Sequence, residues 1–238
     1  MKLPEHVVDA HWQGRGHLTE TVAKQVLNDY GIAVPRSVVA ADSRQVVAAF
    51  ESLGGPVAVK VISSDLVHKS DVGGVEVDIA TPEAARRATT TIAAAVSDSG
   101  YKVDGFLVEE MVPRGHEVVV GSVLDPRFGR LIMIGLGGIF IEVLEDVAFG
   151  ICPITEVDAR VMLHELRGYP LLAGARGGVV ASEPLLVDVL VKLGGEDGLF
   201  LSLPDEITEV DINPLIASDR TAVAADARFV LSDRNSHD

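Results

Sequence analysis

The sequence predicts an α+β protein folded as two small lobes. Helix-like and strand-like periodicities alternate through the first hundred residues, a strand–turn–strand pattern follows between Val118 and Ile134, and a second one closes the chain at 208–228. That order fits two α+β lobes sharing a cleft better than one long parallel sheet with a single Rossmann crossover.

The elements follow from the residues. Leu18 to Tyr30 reads as an amphipathic helix, with Thr19 as N-cap, Val22, Val26 and Leu27 on one face, and Gly31 as its stop. A strand at Ser37–Ala40 precedes a helix at Ser43–Leu53, which Gly54-Gly55-Pro56 terminates. Val57–Ile62 is β-branched and predicts a strand. Val75–Ile79 reads as a strand, Pro82–Ser97 as an alanine-rich helix with proline near its start, and Gly105–Met111 as a strand. Val118–Leu124 and Arg130–Ile134 pair across Asp125-Pro126, and two more helices are expected at Glu156–Leu166 and Glu183–Leu193. The lobes are expected at 18–106 and 107–231, with a leading segment at 1–17 and a tail at 232–238.

Composition narrows the function classes. The chain has 238 residues, 47% of them hydrophobic, enough for a sizeable core. Thirty-five acidic against 20 basic residues give a net charge of -15, and no Lys/Arg cluster offers a stripe for a phosphate backbone, which argues against nucleic acid. Local cations and backbone N–H groups can still build a phosphate pocket inside an acidic protein. One cysteine, Cys152, excludes an internal disulfide framework, and residues 1–30 lack a basic segment followed by an apolar core, so a cytoplasmic protein is expected. Apolar runs stop well short of the ~20 residues a membrane helix needs.

The residues that point to chemistry lie in four places. Thr208–Leu215 and Thr221–Arg228 alternate with period two; a turn at Asp219-Arg220 sets Asn213 opposite Asp226 and Asp211 opposite Arg228. One amide oxygen beside one carboxylate suits Mg²⁺, which keeps several waters and takes oxygens from nucleotide phosphates; a plain surface hairpin bent by Asn-Pro is the other reading. Lys60 shares a strand face with Ala58 and Ile62, so it either meets an anion such as a phosphate or snorkels to water from an edge strand. His68-Lys-Ser-Asp-Val-Gly-Gly74 is a polar loop whose Gly73 and Gly74 permit close backbone approach to phosphate oxygens. Its His68 is either a solvated loop residue or a nucleophile near neutral pH. In Phe106–Pro113 and the following strand, Glu109 is able to accept from an adenine amine and Glu117 from ribose hydroxyls; a solvated acidic strand end is the alternative. Gly135-Leu-Gly-Gly138 reads as a flexible loop after a strand.

Together these segments resemble the ATP-grasp subunit of NDP-forming acyl-CoA synthetases, of the ADP-forming acetyl-CoA synthetase type, and more distantly the β-subunit of succinyl-CoA synthetase. The resemblance runs through Tyr30-Gly-Ile-Ala-Val-Pro35, Val59-Lys-Val61, His68–Val75, Val108-Glu-Glu-Met-Val-Pro113, Glu117-Val-Val-Val-Gly121, Gly135–Glu142, Glu165-Leu-Arg-Gly-Tyr-Pro-Leu-Leu172 and Val210-Asp-Ile-Asn-Pro-Leu215. It implies an ATP-grasp fold with ATP or ADP held between two lobes. Lys60 would contact the phosphates, and Glu109 with the Met111-Val112 backbone would hold adenine. Glu117 would take the ribose, and Asn213 with Asp226 the Mg²⁺. His68 would relay phosphate between a phosphohistidine on a partner and the nucleotide. The implied reaction is acyl-CoA + ADP + phosphate ⇌ carboxylate + CoA + ATP. A CoA-binding domain and a ligase domain with the main phosphohistidine are not in this sequence, so the resemblance implies a hetero-oligomer with a separate α-subunit. The chain departs from the family pattern at Phe149-Gly150, where Phe-Arg is usual, which takes a cation from beside the glycine loop.

Two other function classes fit the same residues. A non-catalytic nucleotide-sensing module would keep its function without His68, and a stand-alone ATP-grasp carboxylate-amine ligase would consume ATP with no second chain. An ATP-grasp portion of a protein acetyltransferase would need an acetyltransferase domain that the sequence lacks.

Overall fold

The computed structural model describes residues 16–66, 69–138 and 145–232, with the backbone alone at Arg176. The elements in chain order are α1 (Glu20–Asp29), β1 (Ser37–Ala40), α2 (Ser43–Leu53), β2 (Val57–Ile62), β3 (Val75–Ile79), α3 (Pro82–Asp98), β4 (Gly105–Glu110), β5 (His116–Asp125), β6 (Gly129–Leu136) and β7 (Val147–Ile151). Then come α4 (Glu156–Glu165), α5 (Tyr169–Leu172), α6 (Glu183–Gly194), α7 (Leu199–Ser202), β8 (Ile207–Ala217), β9 (Ala222–Ala224) and β10 (Arg228–Leu231). They form two compact units, Pro35–Val112 and a second made of Met1–Val34 with Pro113–Asp238. Each has its own sheet and core, as an ATP-grasp fold of the α+β class does.

The Pro35–Val112 unit is a four-stranded antiparallel sheet in the order β1-β4-β2-β3. Alternation divides its faces. Val57, Val59, Val61, Phe106 and Val108 point into one core with Val46 and Ala49 of α2 and Ala85, Ala88, Ile92 and Val96 of α3. Ala58, Lys60, Leu107 and Glu109 occupy the other face, and all four are buried. Both helices are capped at their N-termini: Asp42 Oδ1 accepts the Gln45 N–H, and Thr81 Oγ1 the Ala84 N–H.

The second unit carries an antiparallel sheet ordered β10-β8-β5-β6-β7, with β9 also pairing β8. Val118, Val120, Ile132, Ile134, Ile212 and Phe229 face a core shared with Met162 and Leu163 of α4, and with Leu186, Leu190 and Leu193 of α6. Helix α1 belongs here as well. Ala23, Val26 and Leu27 lie in this core, the Leu18 N–H bonds the Phe229 carbonyl at 2.9 Å, and the Ala224 N–H bonds the Ala33 carbonyl at 2.8 Å.

The structural division therefore differs from the expected 18–106 and 107–231. A cut after 106 would sever β4, which pairs with both β1 and β2, and residues 18–34 fill the second unit's core. Three local expectations also change. Thr19 stands at the N-cap of α1 but its side chain makes no capping bond. Gly135 and Leu136 continue β6 rather than forming loop. Strand β7 and the short helices α5 and α7 were not foreseen, because five- and four-residue runs give too few turns of periodicity to register. Among the described residues no helix is long and apolar enough to cross a membrane.

Candidate functional site

In the Pro35–Val112 unit, the antiparallel register of β2 and β4 sets Ala58 opposite Glu109 and Lys60 opposite Leu107. Lys60 and Glu109 are therefore diagonal neighbours on one face, and their side chains meet: Nζ lies 2.9 Å from Oε2. Both are nearly excluded from solvent, Lys60 at 7% and Glu109 at 2% exposure. Two readings of the sequence fall here. Lys60 is on a central strand and does not snorkel from an edge, and Glu109 is not a solvated strand end. The solvated carboxylate is its neighbour Glu110, which takes the Arg36 Nε–H at 2.7 Å and the Arg36 N–H at 3.1 Å. Those Arg36 bonds outweigh the desolvation that opposes them and hold the Glu110 carboxyl below the usual carboxylate range.

The segment after β4 is held through backbone and sulfur. The Met111 N–H donates to the Pro56 carbonyl at 3.0 Å and its thioether sulfur accepts the Asp78 N–H at 3.5 Å, while no hydrogen bond engages the Val112 N–H among the described residues. Gly73 and Gly74 close the turn that opens β3. Gly73 has φ +70°, which suits glycine, and a Cβ on Gly74 would lie 2.8 Å from both the Lys69 carbonyl oxygen and Val61 Cγ1. The glycine pair is thus required by the turn's own packing as well as permitting backbone approach. His68 lies outside the described residues.

In the second unit, the closing hairpin takes the register the alternation predicts. Leu215 stands opposite Ala224, Asp211 opposite Arg228, and the Asn213 N–H donates to the Asp226 carbonyl at 3.2 Å. The turn closes where Ser218 N–H meets the Thr221 carbonyl at 2.8 Å, around Asp219-Arg220. Asp226 Oδ1 also accepts the Ala227 N–H at 2.7 Å. Asp211 and Glu209 share Arg228, whose Nη2 lies 3.9 and 3.1 Å from their carboxylates. Among the described residues no group of three or more His, Cys, Asp and Glu side chains gathers to hold a metal ion. Asn213 carries an amide oxygen and Asp226 a carboxylate, a donor type that Mg²⁺ completed by water and phosphate accepts.

Glu117 lies near the start of β5, exposed, with no hydrogen bond to its carboxylate among the described residues. Its backbone is fixed: the Gly137 N–H donates to the Glu117 carbonyl at 2.8 Å, and a Cβ on Gly137 would lie 3.0 Å from Glu117 Cβ. Gly138, with φ +61°, sits over the carboxylate, its missing Cβ 3.9 Å from Oε2. The Gly135–Gly138 run is therefore the partner of Glu117, a relationship the sequence spacing did not express. Gly150 faces inward. A Cβ there would be 2.9 Å from Met162 Sδ and 3.1 Å from Ile154, so the position points to the core beneath α4 and not to the side of the sheet where an arginine would lend a cation.

Two constellations escaped the sequence reading. Asp146, 4% exposed, accepts the N–H groups of Arg167 and Gly168, each at 2.8 Å, and so explains the Arg-Gly of the 165–172 motif. Glu183 receives the Tyr169 hydroxyl and bonds His164 Nε2 at 3.1 Å, with the His164 and Tyr169 rings stacked 4.2 Å apart. The partners are 14 to 22 residues apart in sequence. No local pattern announces them.

Known proteins resemble this chain in sequence and in fold. The family model of the ATP-grasp domain matches residues 9–231. The chain is similar to the β subunit of acetate–CoA ligase (ADP-forming) I of Pyrococcus furiosus, at 44% identity over 90% of this chain and 91% of that one. Among solved structures it is similar to acetyl-coenzyme A synthetase 1, described as dinucleotide forming, of Ca. Korarchaeum cryptofilum. The complex with coenzyme A, Ca-AMPCP and HgCl⁺ superposes with a TM-score of 0.89 at 36% identity, covering 96% of this chain and 99% of that one. Its complex with coenzyme A and Mg-AMPPCP, in which a phosphohistidine segment points towards the nucleotide-binding site, gives a TM-score of 0.80 at 35% identity over the same shares.

Proposed function

The chain belongs to the ATP-grasp domain family and its homologues are β subunits of ADP-forming acetate–CoA ligases, and from this premise we propose that it is the nucleotide-binding subunit of an acid–thiol ligase. Its reaction is acyl-CoA + ADP + phosphate ⇌ carboxylate + CoA + ATP, run with a separate α-subunit that binds CoA and carries a phosphohistidine. The name of the Pyrococcus relative as a β subunit supports the second chain, and the Korarchaeum complexes support nucleotide, metal and phosphohistidine. The observation that carries the reading is the pairing of Asn213 with Asp226 across the closing hairpin.

Each residue then has a task. Asn213 and Asp226 would hold Mg²⁺, which would supply charge neutralisation at the phosphates. Lys60 supplies a cation to the phosphates, and its pairing with Glu109 fixes where that cation stands. Glu109 and the Met111-Val112 backbone take the adenine edge, the Gly73-Gly74 turn offers N–H groups to phosphate, and Glu117 accepts from the ribose. His68, by its place in the motif, relays the phosphoryl group between the partner's phosphohistidine and ADP: a P–N bond breaks on the donor imidazole as one forms on His68, and in a second transfer that P–N bond breaks as an ADP phosphate oxygen forms the P–O bond of ATP, leaving a neutral imidazole.

Calorimetric titration of the purified chain with ADP and ATP, with and without Mg²⁺, tests this against the Asn213→Ala/Asp226→Ala double variant. Magnesium-dependent binding that disappears in a variant of unchanged melting temperature is expected. Wild-type affinity in the double variant, or no binding to the folded wild type, would overturn it.

A further inference from the structure

Resting on the assignment of Glu117 to the ribose, we propose that Asp146 is a positioning residue for nucleotide recognition, acting through the end of β6 on Glu117. Asp146 is buried at the entrance of β7, directly after Glu145, a non-glycine residue held at φ +47°. A residue with a Cβ adopts that conformation at a cost, which surrounding structure must impose. What the Asp146 carboxylate does there is specific. Its two oxygens divide between consecutive backbone donors, Oδ1 to Arg167 N–H and Oδ2 to Gly168 N–H, both at 2.8 Å, and the exposed Arg167 guanidinium lies 3.7 Å away. A buried carboxyl is tolerated when its lone pairs are so used.

The clamp presses the turn after α4 against the sheet. A Cβ on Gly168 would fall on the Leu136 Cδ1 methyl and lie 3.0 Å from Asp146 Oδ2, so Gly168 is the contact by which the clamped turn seats on Leu136. Leu136, 3% exposed, is the last residue of β6 and pairs with Val118, the neighbour of Glu117. The residue after Leu136 is Gly137, whose N–H holds the Glu117 carbonyl and whose missing side chain leaves room for Glu117 Cβ. The path Asp146, Gly168, Leu136, Gly137, Glu117 is continuous, entirely within one unit, and ends on a carboxylate that nothing else among the described residues holds. Without the clamp, Leu136 loses its backing and the Glu117 carboxylate loses its fixed origin, so a ribose would meet a carboxylate spread over several rotamers.

The test reads ribose discrimination rather than stability. With Mg²⁺ present, the full chain should bind ADP about tenfold more tightly than 2′,3′-dideoxy-ADP, as expected when hydrogen bonds to a charged group are lost. Asp146→Ala should bind dideoxy-ADP as the wild type does, lose roughly that tenfold in ADP affinity, and show no further loss when combined with Glu117→Ala. Retention of the wild-type ADP preference by folded Asp146→Ala, or additive losses in the double variant, would overturn the inference while leaving Glu117 as ribose ligand. Absence of any ADP preference in the wild type would instead overturn the ribose assignment and this inference with it. Should Asp146→Ala fail to fold, the wild type decides alone. The backbone amide resonances of Arg167 and Gly168 should shift with ADP and not with dideoxy-ADP; equal responses would overturn the coupling.

Discussion

Lys60 and Glu109 form a buried ion pair across adjacent antiparallel strands, Nζ to Oε2 at 2.9 Å, on the face of the sheet turned away from α2 and α3. The two side chains are assigned different parts of one nucleotide, yet they are each other's structural partner. Removing one takes a countercharge 2.9 Å away from a group that stays buried. Lys60→Ala should therefore cost about 3–5 kcal/mol of stability in urea unfolding. A Lys60→Met/Glu109→Leu double variant should regain most of that loss while failing to bind ADP. A double variant as unstable as the single one would show that the pair is irreplaceable as packing.

Gly74 has a steric reason to be glycine that is independent of any ligand. Gly74→Ala places a methyl 2.8 Å from the Lys69 carbonyl oxygen and Val61 Cγ1, so it should destabilise the Pro35–Val112 unit by about 1–3 kcal/mol. Denaturant titration of the variant checks the value, and a change within a few tenths of wild type would count against the turn geometry.

Gly150 faces Met162 and Ile154 beneath α4. Gly150→Arg should accordingly lower the midpoint of thermal unfolding without tightening ADP binding. Tighter binding at unchanged stability would mean that the arginine reaches the nucleotide after all.

Cys152 is 8% exposed, and burial pushes its thiol up to about 11. At neutral pH it should react with a thiol reagent such as DTNB at a rate limited by protein opening, and many-fold faster in guanidinium. Equal rates in the two conditions would contradict the burial.

Glu183 is held below the ordinary carboxylate range by the Tyr169 hydroxyl first and His164 second. A depressed folded-state value stabilises the fold above the unfolded pKa of about 4.3, and the benefit fades as pH falls through the folded value. Wild type should therefore melt higher than Glu183→Gln at pH 7, with the gap closing on acidification below about pH 4. A gap that widens in acid would reverse the assignment.

Much of the fold was legible because it is local. Val57–Ile62, Ser43–Leu53 and Pro82–Asp98 follow from β-branching, spacing and caps within their own segments. The hairpin register that sets Asn213 beside Asp226 follows from alternation about one turn. The motifs at Lys60, Gly73-Gly74, Glu109 and Glu117 gave the family for the same reason. What tertiary structure decided depends on contacts between distant segments. It sent α1 to the core of the later unit, turned Gly150 inward, paired Lys60 with Glu109, and placed Asp146 against Arg167 and Gly168. Periodicity reports which face of an element is apolar; only the folded chain determines which other element covers it, and so which polar groups must satisfy one another once water is excluded.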